Sequence, residues 1–409
     1  MPVSINYVRN KNISAAPGPD WLTVAAGAEV RRLHLSMAAF APTELKSLKN
    51  LAKQLGVKAI YVKDESTRFG LKAFKALGAS WAITRVICDK LGLDYRTVTF
   101  DELRSEKYRE TIQQMVFASA TDGNHGKGVA WTAHELGCQA YIFMPRGTVE
   151  ARRSAIIAAG ATECTITDMT YDDTVRMVAR RAEQEGWTVV QDTSWEGYEV
   201  VPRHIAEGYM TMAAESLEAL REYEGDDKAM PTHVFLQAGV GAMAGGVAGY
   251  MVNAADEAGK PRPVISVVEP NEAACFYDTA VIGDGERHPA GGNATTIMAG
   301  LNCGEIAPMV WPVLRDFASY YLAMDDYAAA EGMRQLAHPI GDDPVVVAGE
   351  SGASGFGAAR LILAHDELKQ LRDEMGFDEN SIVLLYNTEG DTDPENYRRI
   401  VDEGAYPLP

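Results

Sequence analysis

Apolar runs alternate with helical patterns along the whole chain. Short runs at Ala59-Ile60-Tyr61-Val62-Lys63, Val116 to Ser119, Tyr141-Ile142-Phe143-Met144 and Thr188-Val189-Val190-Gln191 read as strands, and the stretch from Ala76 to about Leu91 reads as a helix. Such alternation predicts an α/β fold, with helices layered on mostly parallel strands. No internal repeat, low-complexity tract or Pro/Gly linker interrupts it, and the exposed hydrophilic connection is Glu222-Tyr223-Glu224-Gly225-Asp226-Asp227-Lys228.

Three segments carry more than core patterning. The first is Ala73-Phe74-Lys75-Ala76-Leu77-Gly78-Ala79. A lysine that holds an aldehyde as a Schiff base needs a depressed pKa, which burial beside Phe74 in a glycine-flanked turn would supply. Taken alone, Lys75 reads better as an ordinary surface lysine of an amphipathic helix. The second, Ser119-Ala120-Thr121-Asp122-Gly123-Asn124-His125-Gly126, lies between an apolar run and a helical one and reads as strand, polar loop, helix. There the Asn124 amide could bond a ring oxygen of a cofactor while Gly123 and Gly126 let the backbone come close. The same turn also reads as a plain N-cap, with Asp122 or Asn124 satisfying helix amides.

The third segment runs from Thr232 through Gly239-Val240-Gly241-Ala242-Met243 to Gly246, a buried strand entering a small-residue loop and then a helix. Converging backbone amides at a helix start suit a phosphate. Gly239, Gly241 and Ala244 also match the G-x-G-x-x-A dinucleotide fingerprint, with Glu269 closing the next strand, Val264-Ile265-Ser266-Val267-Val268. That acid lies nearer thirty than twenty residues on, and the nucleotide reading leaves Lys75 and the Asp122 to Gly126 loop unexplained.

Together the three segments resemble the tryptophan-synthase-like, fold-type II family of pyridoxal-phosphate enzymes, over roughly residues 35 to 395. The family's Ser-Phe-Lys-x-Arg-Gly-Ala stands here as Ala73 to Ala79, with Leu77 in place of the arginine of dehydratases, and its Ser-x-Gly-Asn-His-Gly loop as Thr121 to Gly126. The acidic Asp122, the Gly239 to Met243 variant, Lys63 to Gly70, Gln191 to Tyr198 and Thr296 to Leu301 are most similar to the branch that cleaves 2,3-diaminopropionate.

The resemblance implies two three-layer α/β domains, each with a mostly parallel sheet and the cofactor in the cleft between them. The larger is expected over 1–75 and 189–409, the smaller, inserted one over 76–188. It implies pyridoxal 5'-phosphate bound by Lys75, Asn124, Gly239, Val240, Gly241, Ala242, Met243 and Thr388, and substrate held by Thr121, Asp122, Gly123, His125 and Asp192. Catalysis falls to Lys75, Asp122 and Asp192: a base on each cofactor face for D- and L-diaminopropionate, with Asp192 toward the β-ammonium. Thr388, at the end of Ile382-Val383-Leu384-Leu385-Tyr386-Asn387, takes the place facing the pyridine nitrogen, where a neutral hydroxyl leaves that nitrogen largely unprotonated. It also reads as a strand-end residue making a backbone turn bond. Gly349 to Gly355 resembles the family's Glu-x-x-Gly-Ala helix start, where Glu350 serves as a cap.

Composition narrows the partners. With 409 residues, 46% apolar and 23% charged, the chain is long enough for two domains. A formal charge of −19 argues against nucleic acid and anionic membrane. No signal peptide or membrane-spanning run is evident, so a cytoplasmic enzyme is expected, and the family resemblance implies a homodimer with a small amino acid substrate. Five cysteines without C-x-x-C spacing and eight scattered histidines give no metal motif, and Cys275 and Cys303 are expected as reduced thiols. The expected reaction is an α,β-elimination yielding pyruvate and two ammonia. A serine or threonine dehydratase of the same fold is the first alternative, and a nucleotide-binding protein using Gly239 to Gly246 the second.

Overall fold

A computed structural model describes residues 2–121 and 123–409. The expected Asp122 lies outside the described residues. The chain divides into two compact units, one comprising Met1–Val24, Pro42–Thr67 and Met212–Pro409, the other Ala25–Ala41 and Arg68–Thr211.

The strands, in chain order, are β1 (Asn6–Arg9), β2 (Leu45–Ser47), β3 (Ala59–Asp64), β4 (Val116–Ala120), β5 (Gln139–Met144), β6 (Glu163–Ile166), β7 (Thr188–Val189), β8 (His233–Gln237), β9 (Val264–Pro270), β10 (Tyr320–Met324) and β11 (Ile382–Asn387). The larger unit holds a seven-stranded sheet in the order β1-β10-β9-β8-β11-β3-β2. Its five inner strands are parallel and only the edge strands β1 and β2 run antiparallel. Strands β3, β8, β10 and β11 are buried at every residue, which explains their near-continuous apolar runs. The charged end of β3 is internally paired: Lys63 Nζ donates to Glu215 Oε2 and to the Thr43 carbonyl, each at 2.5 Å. A buried ammonium without such partners would be too costly to keep.

The smaller unit holds a parallel four-stranded sheet, β6-β5-β4-β7. Phe117 pairs with Thr188 and Ala118 with Val189, so the segments leaving β4 and β7 emerge side by side. The first is the Thr121 loop and the second carries Gln191 and Asp192.

The division between the units differs from the expected 76–188. The smaller unit also takes in 25–41, 68–75 and 189–211, so Lys75 and Asp192 belong to it together. Helix packing is the cause. The helix Val200–Gly208 approaches the helix Ala76–Leu91 through paired glycines: a Cβ on Gly208 would stand 2.5 Å from the Leu77 carbonyl oxygen, and one on Gly78 2.8 Å from Ile205. The fully buried His34, on the helix Val24–Leu35, ties to Thr211 Oγ1 at 2.7 Å and to the Leu77 carbonyl and Ser80 Oγ at 3.1 Å.

Candidate active site

In the smaller unit, Lys75 sits immediately before the first turn of Ala76–Leu91, a helix that begins and ends where the apolar pattern places it. Its Nζ lies 2.5 Å from Asp192 Oδ2 and 5.6 Å from the centre of the Phe74 ring. An opposite charge, rather than apolar burial alone, dominates its surroundings. A Cβ on Gly128 would come within 3.0 Å of the Ala76 backbone, so that glycine lets the helix Asn124–Leu136 reach the Lys75 turn.

The loop carrying Asp192 is built to hold it. Gln191 Oε1 accepts from the Ala120 amide at 3.0 Å, and the Tyr198 hydroxyl accepts from the Gln191 amide at 2.8 Å while donating to the Val189 carbonyl at 3.0 Å. Trp195 and Tyr198 stack with ring centres 4.3 Å apart. His125 Nε2 donates to the Val190 carbonyl at 2.8 Å, which leaves Nδ1 facing Asp192 Oδ2 at 3.8 Å. Burial pushes the His125 imidazole down from its ordinary range, Asp192 opposing and Lys75 reinforcing that shift. Burial would push the Asp192 carboxyl up, but the charges of His125 and Lys75 outweigh it and hold it at about 2. Of the two partners Lys75 is the nearer, its Nζ donating at 2.5 Å while His125 Nδ1 stands 3.8 Å away.

Thr121 and Gly123 are tied to one another within their loop. The Thr121 hydroxyl accepts from the amides of Gly123 at 3.0 Å and Gly126 at 3.1 Å, so it shapes the loop. The Gly123 N–H is thereby committed, whereas the His125 amide, in the first helical turn, meets no acceptor among the described residues. Asn124 opens that helix. Tyr209, which carries no motif in the sequence, is also here. It is fully buried, its ring is 4.7 Å from that of Phe74, and its hydroxyl has no partner among the described residues.

In the larger unit, β8 runs into Gly239-Val240-Gly241 and the helix Ala242–Ala258. Gly241 has φ 96°, and a Cβ there would stand 2.4 Å from the Phe276 ring; one on Gly239 would stand 3.0 Å from Cys303 Sγ. The amides of residues 239 to 244 have no acceptor among the described residues. Six consecutive donors at the start of a 17-residue helix, in a loop that is tight at Gly239 and admits no side chain at Gly241, fit a phosphate group. One strand over, Thr388 leaves β11 and accepts from Gln237 Nε2 at 3.1 Å. It makes a side-chain bond rather than a turn bond.

Glu269 does not serve a nucleotide. It is fully buried at the end of β9, accepts from the Phe276 and Tyr277 amides at 2.9 and 2.8 Å, and so caps the helix Cys275–Ile282. Burial pushes its carboxyl up to about 8 against the pull of those amides. Cys275 and Cys303 are free thiols. Glu350 opens the helix Glu350–Ala364 after Gly349 and accepts from Asn396 Nδ2 at 2.5 Å instead of closing a cap.

A parallel α/β frame, a lysine with its carboxylate partner in one unit and a glycine-lined amide cradle in the other define a class. The chain belongs to the pyridoxal-phosphate-dependent enzymes, whose family model matches residues 37–374, and its cofactor is pyridoxal phosphate bound on the fold-type II frame. It is 46% identical to the diaminopropionate ammonia-lyase of Escherichia coli strain K12 over 92% of this chain and 91% of that protein, and 44% identical to that of Salmonella typhimurium over 97% and 96%. The crystal structure of the Escherichia coli enzyme in complex with D-serine superposes with a TM-score of 0.90 at 42% identity, covering 99% of both chains. A processed threonine deaminase from Solanum lycopersicum, at 17% identity and a TM-score of 0.69, shares the fold.

Proposed function

We propose that the protein is a diaminopropionate ammonia-lyase, converting D- and L-2,3-diaminopropionate to pyruvate and two molecules of ammonia. The observation that carries this reading is the Asp192 carboxylate beside Lys75 Nζ. An ionised carboxylate at the reacting amine suits a substrate whose leaving group is itself an ammonium; the hydroxyl of serine or threonine has no use for it. Bound pyridoxal phosphate supplies the electron sink for the α-carbon.

The chain's residues do the rest. Lys75 takes the α-proton on one side, the C–N bond at the β-carbon breaks, and ammonia departs near Asp192. The unsaturated amino acid that remains reacts with water to give pyruvate and the second ammonia. Asp122 is assigned the base for the other enantiomer, and the His125 amide a share of the substrate carboxylate. Residues 239 to 243 hold the phosphate, Asn124 the ring oxygen and Thr388 the ring nitrogen. The enzyme is proposed to work in the cytoplasm as a homodimer; among the described residues no helix is long and apolar enough to cross a membrane.

The test is to incubate the pyridoxal-phosphate-loaded enzyme separately with D-diaminopropionate, L-diaminopropionate, serine and threonine, assaying keto acid and ammonia. Two ammonia per pyruvate from both diaminopropionate enantiomers supports the reading. Faster turnover of serine or threonine would replace it with a dehydratase. Equal loss of both enantiomers' turnover in Asp122→Asn would remove the two-base assignment.

A further inference from the structure

We propose that Gln237 is a positioning residue that fixes the direction of the Thr388 hydroxyl and thereby keeps the cofactor's ring nitrogen unprotonated. The inference rests on the proposed function, in which Thr388 faces that nitrogen.

The geometry around Gln237 favours one reading of its amide. Its side chain is 2% exposed, and Nε2 lies 2.8 Å from the Tyr386 carbonyl, 3.2 Å from that of Ser351, 3.4 Å from that of Gly352 and 3.1 Å from Thr388 Oγ1. Three surrounding carbonyl oxygens favour the NH2 end there, since the amide oxygen would face three acceptors and could pair only with the Thr388 hydroxyl. An NH2 group has two hydrogens to give. The Ser351 carbonyl already accepts from Ser354 Oγ at 2.8 Å, and Gly352 lies inside the helix Glu350–Ala364, where its carbonyl serves the backbone ladder. The contacts to Tyr386 and Thr388 are the shortest of the four, and the two hydrogens are assigned to them.

An amide nitrogen does not accept, so the Thr388 hydroxyl can only be the acceptor in this contact. No other hydrogen bond to Thr388 Oγ1 exists among the described residues, and the residue is 3% exposed. Its own hydrogen remains to be given. Strands β8 and β11 are parallel neighbours, so the amide cradle following β8 and Thr388 following β11 lie at the same, C-terminal end of the sheet. A ring whose phosphate sits in the cradle meets a hydroxyl set to donate, and a donor stabilises a ring nitrogen that keeps its lone pair.

The test uses holoenzyme loaded with pyridoxal phosphate carrying nitrogen-15 in the ring, read by nitrogen NMR from mildly acid to mildly alkaline pH. Wild type is expected to show an unprotonated nitrogen throughout. Gln237→Met removes the donor, and Gln237→Glu, of nearly the same shape, replaces the NH2 group with a carboxylate oxygen that accepts from the Thr388 hydroxyl. In either variant the signal is expected to move toward the pyridinium position as the pH falls. A protonated ring in wild type overturns the inference without any variant. A lowered melting temperature with an unmoved ring signal in a folded variant overturns it too, since Gln237 would then be structural only. A protein that takes up no pyridoxal phosphate would bring down the proposed function as well, which separates the two failures.

Discussion

Asp192 Oδ2 and Lys75 Nζ stand 2.5 Å apart within one unit, on two segments separated by more than a hundred residues of sequence. The pair joins the helix that presents the lysine to the loop that leaves β7. It makes the lysine's surroundings polar and directional, and it keeps a buried carboxylate ionised.

The pair has a pH signature. The Asp192 carboxyl is depressed in the folded state to about 2 from an ordinary value near 4, so its contribution is fully present above about pH 4 and is lost as the pH falls toward about 2. The contribution amounts to about 2 kcal/mol. Asp192→Asn is expected to lack this part of the acid-induced loss of stability, as read from urea unfolding at a series of acid pH values. An unchanged slope in the variant would contradict the assignment.

Charge and chemistry at position 75 can be separated. Lys75→Arg retains a cation for Asp192, and Lys75→Ala leaves that carboxylate unpaired. Both are expected to lose at least about a thousandfold in turnover. Only the alanine variant should also melt lower, which calorimetry would show.

Gly241→Ala tests the amide cradle. A methyl group there meets the Phe276 ring at 2.4 Å on a backbone with φ 96°, costing about 1–3 kcal/mol. Titration of the apoenzyme should show pyridoxal phosphate affinity lower by about tenfold, with the melting temperature of the apoenzyme falling too. Undiminished affinity would move the phosphate elsewhere.

Thr121→Val removes the acceptor of the Gly123 and Gly126 amides and keeps the side-chain shape. Loss of about 1–2 kcal/mol of stability is expected, with KM for the amino acid raised and cofactor content unchanged. A normal KM would relieve the loop of its substrate role.

Much of this was legible in the chain itself, for identifiable reasons. Buried parallel strands such as β3 and β11 leave continuous apolar runs, and the helix Ala76–Leu91 ends at a left-handed Gly92. Lys75 and the glycines after β8 stood out because cofactor chemistry restricts residue type at those places. What stayed hidden depends on contacts between distant segments. The helices Val24–Leu35 and Val200–Gly208 join the smaller unit through His34, Gly78 and Gly208, a packing choice with no periodic signal. Tyr209 and Gln237 gain their significance only when Phe74 and Thr388 are set beside them. Glu269 kept a nucleotide alternative open because an acid after a strand looks alike whether it meets a ribose or caps a helix.

The central claim is that Lys75 carries the cofactor. It is tested most directly by loading the protein with pyridoxal phosphate, reducing with borohydride, digesting, and locating the pyridoxyl group by mass spectrometry. The group is expected on the peptide containing Lys75, with loss of the visible absorbance on reduction. A label on another lysine, or a protein that takes up no cofactor, would contradict the account.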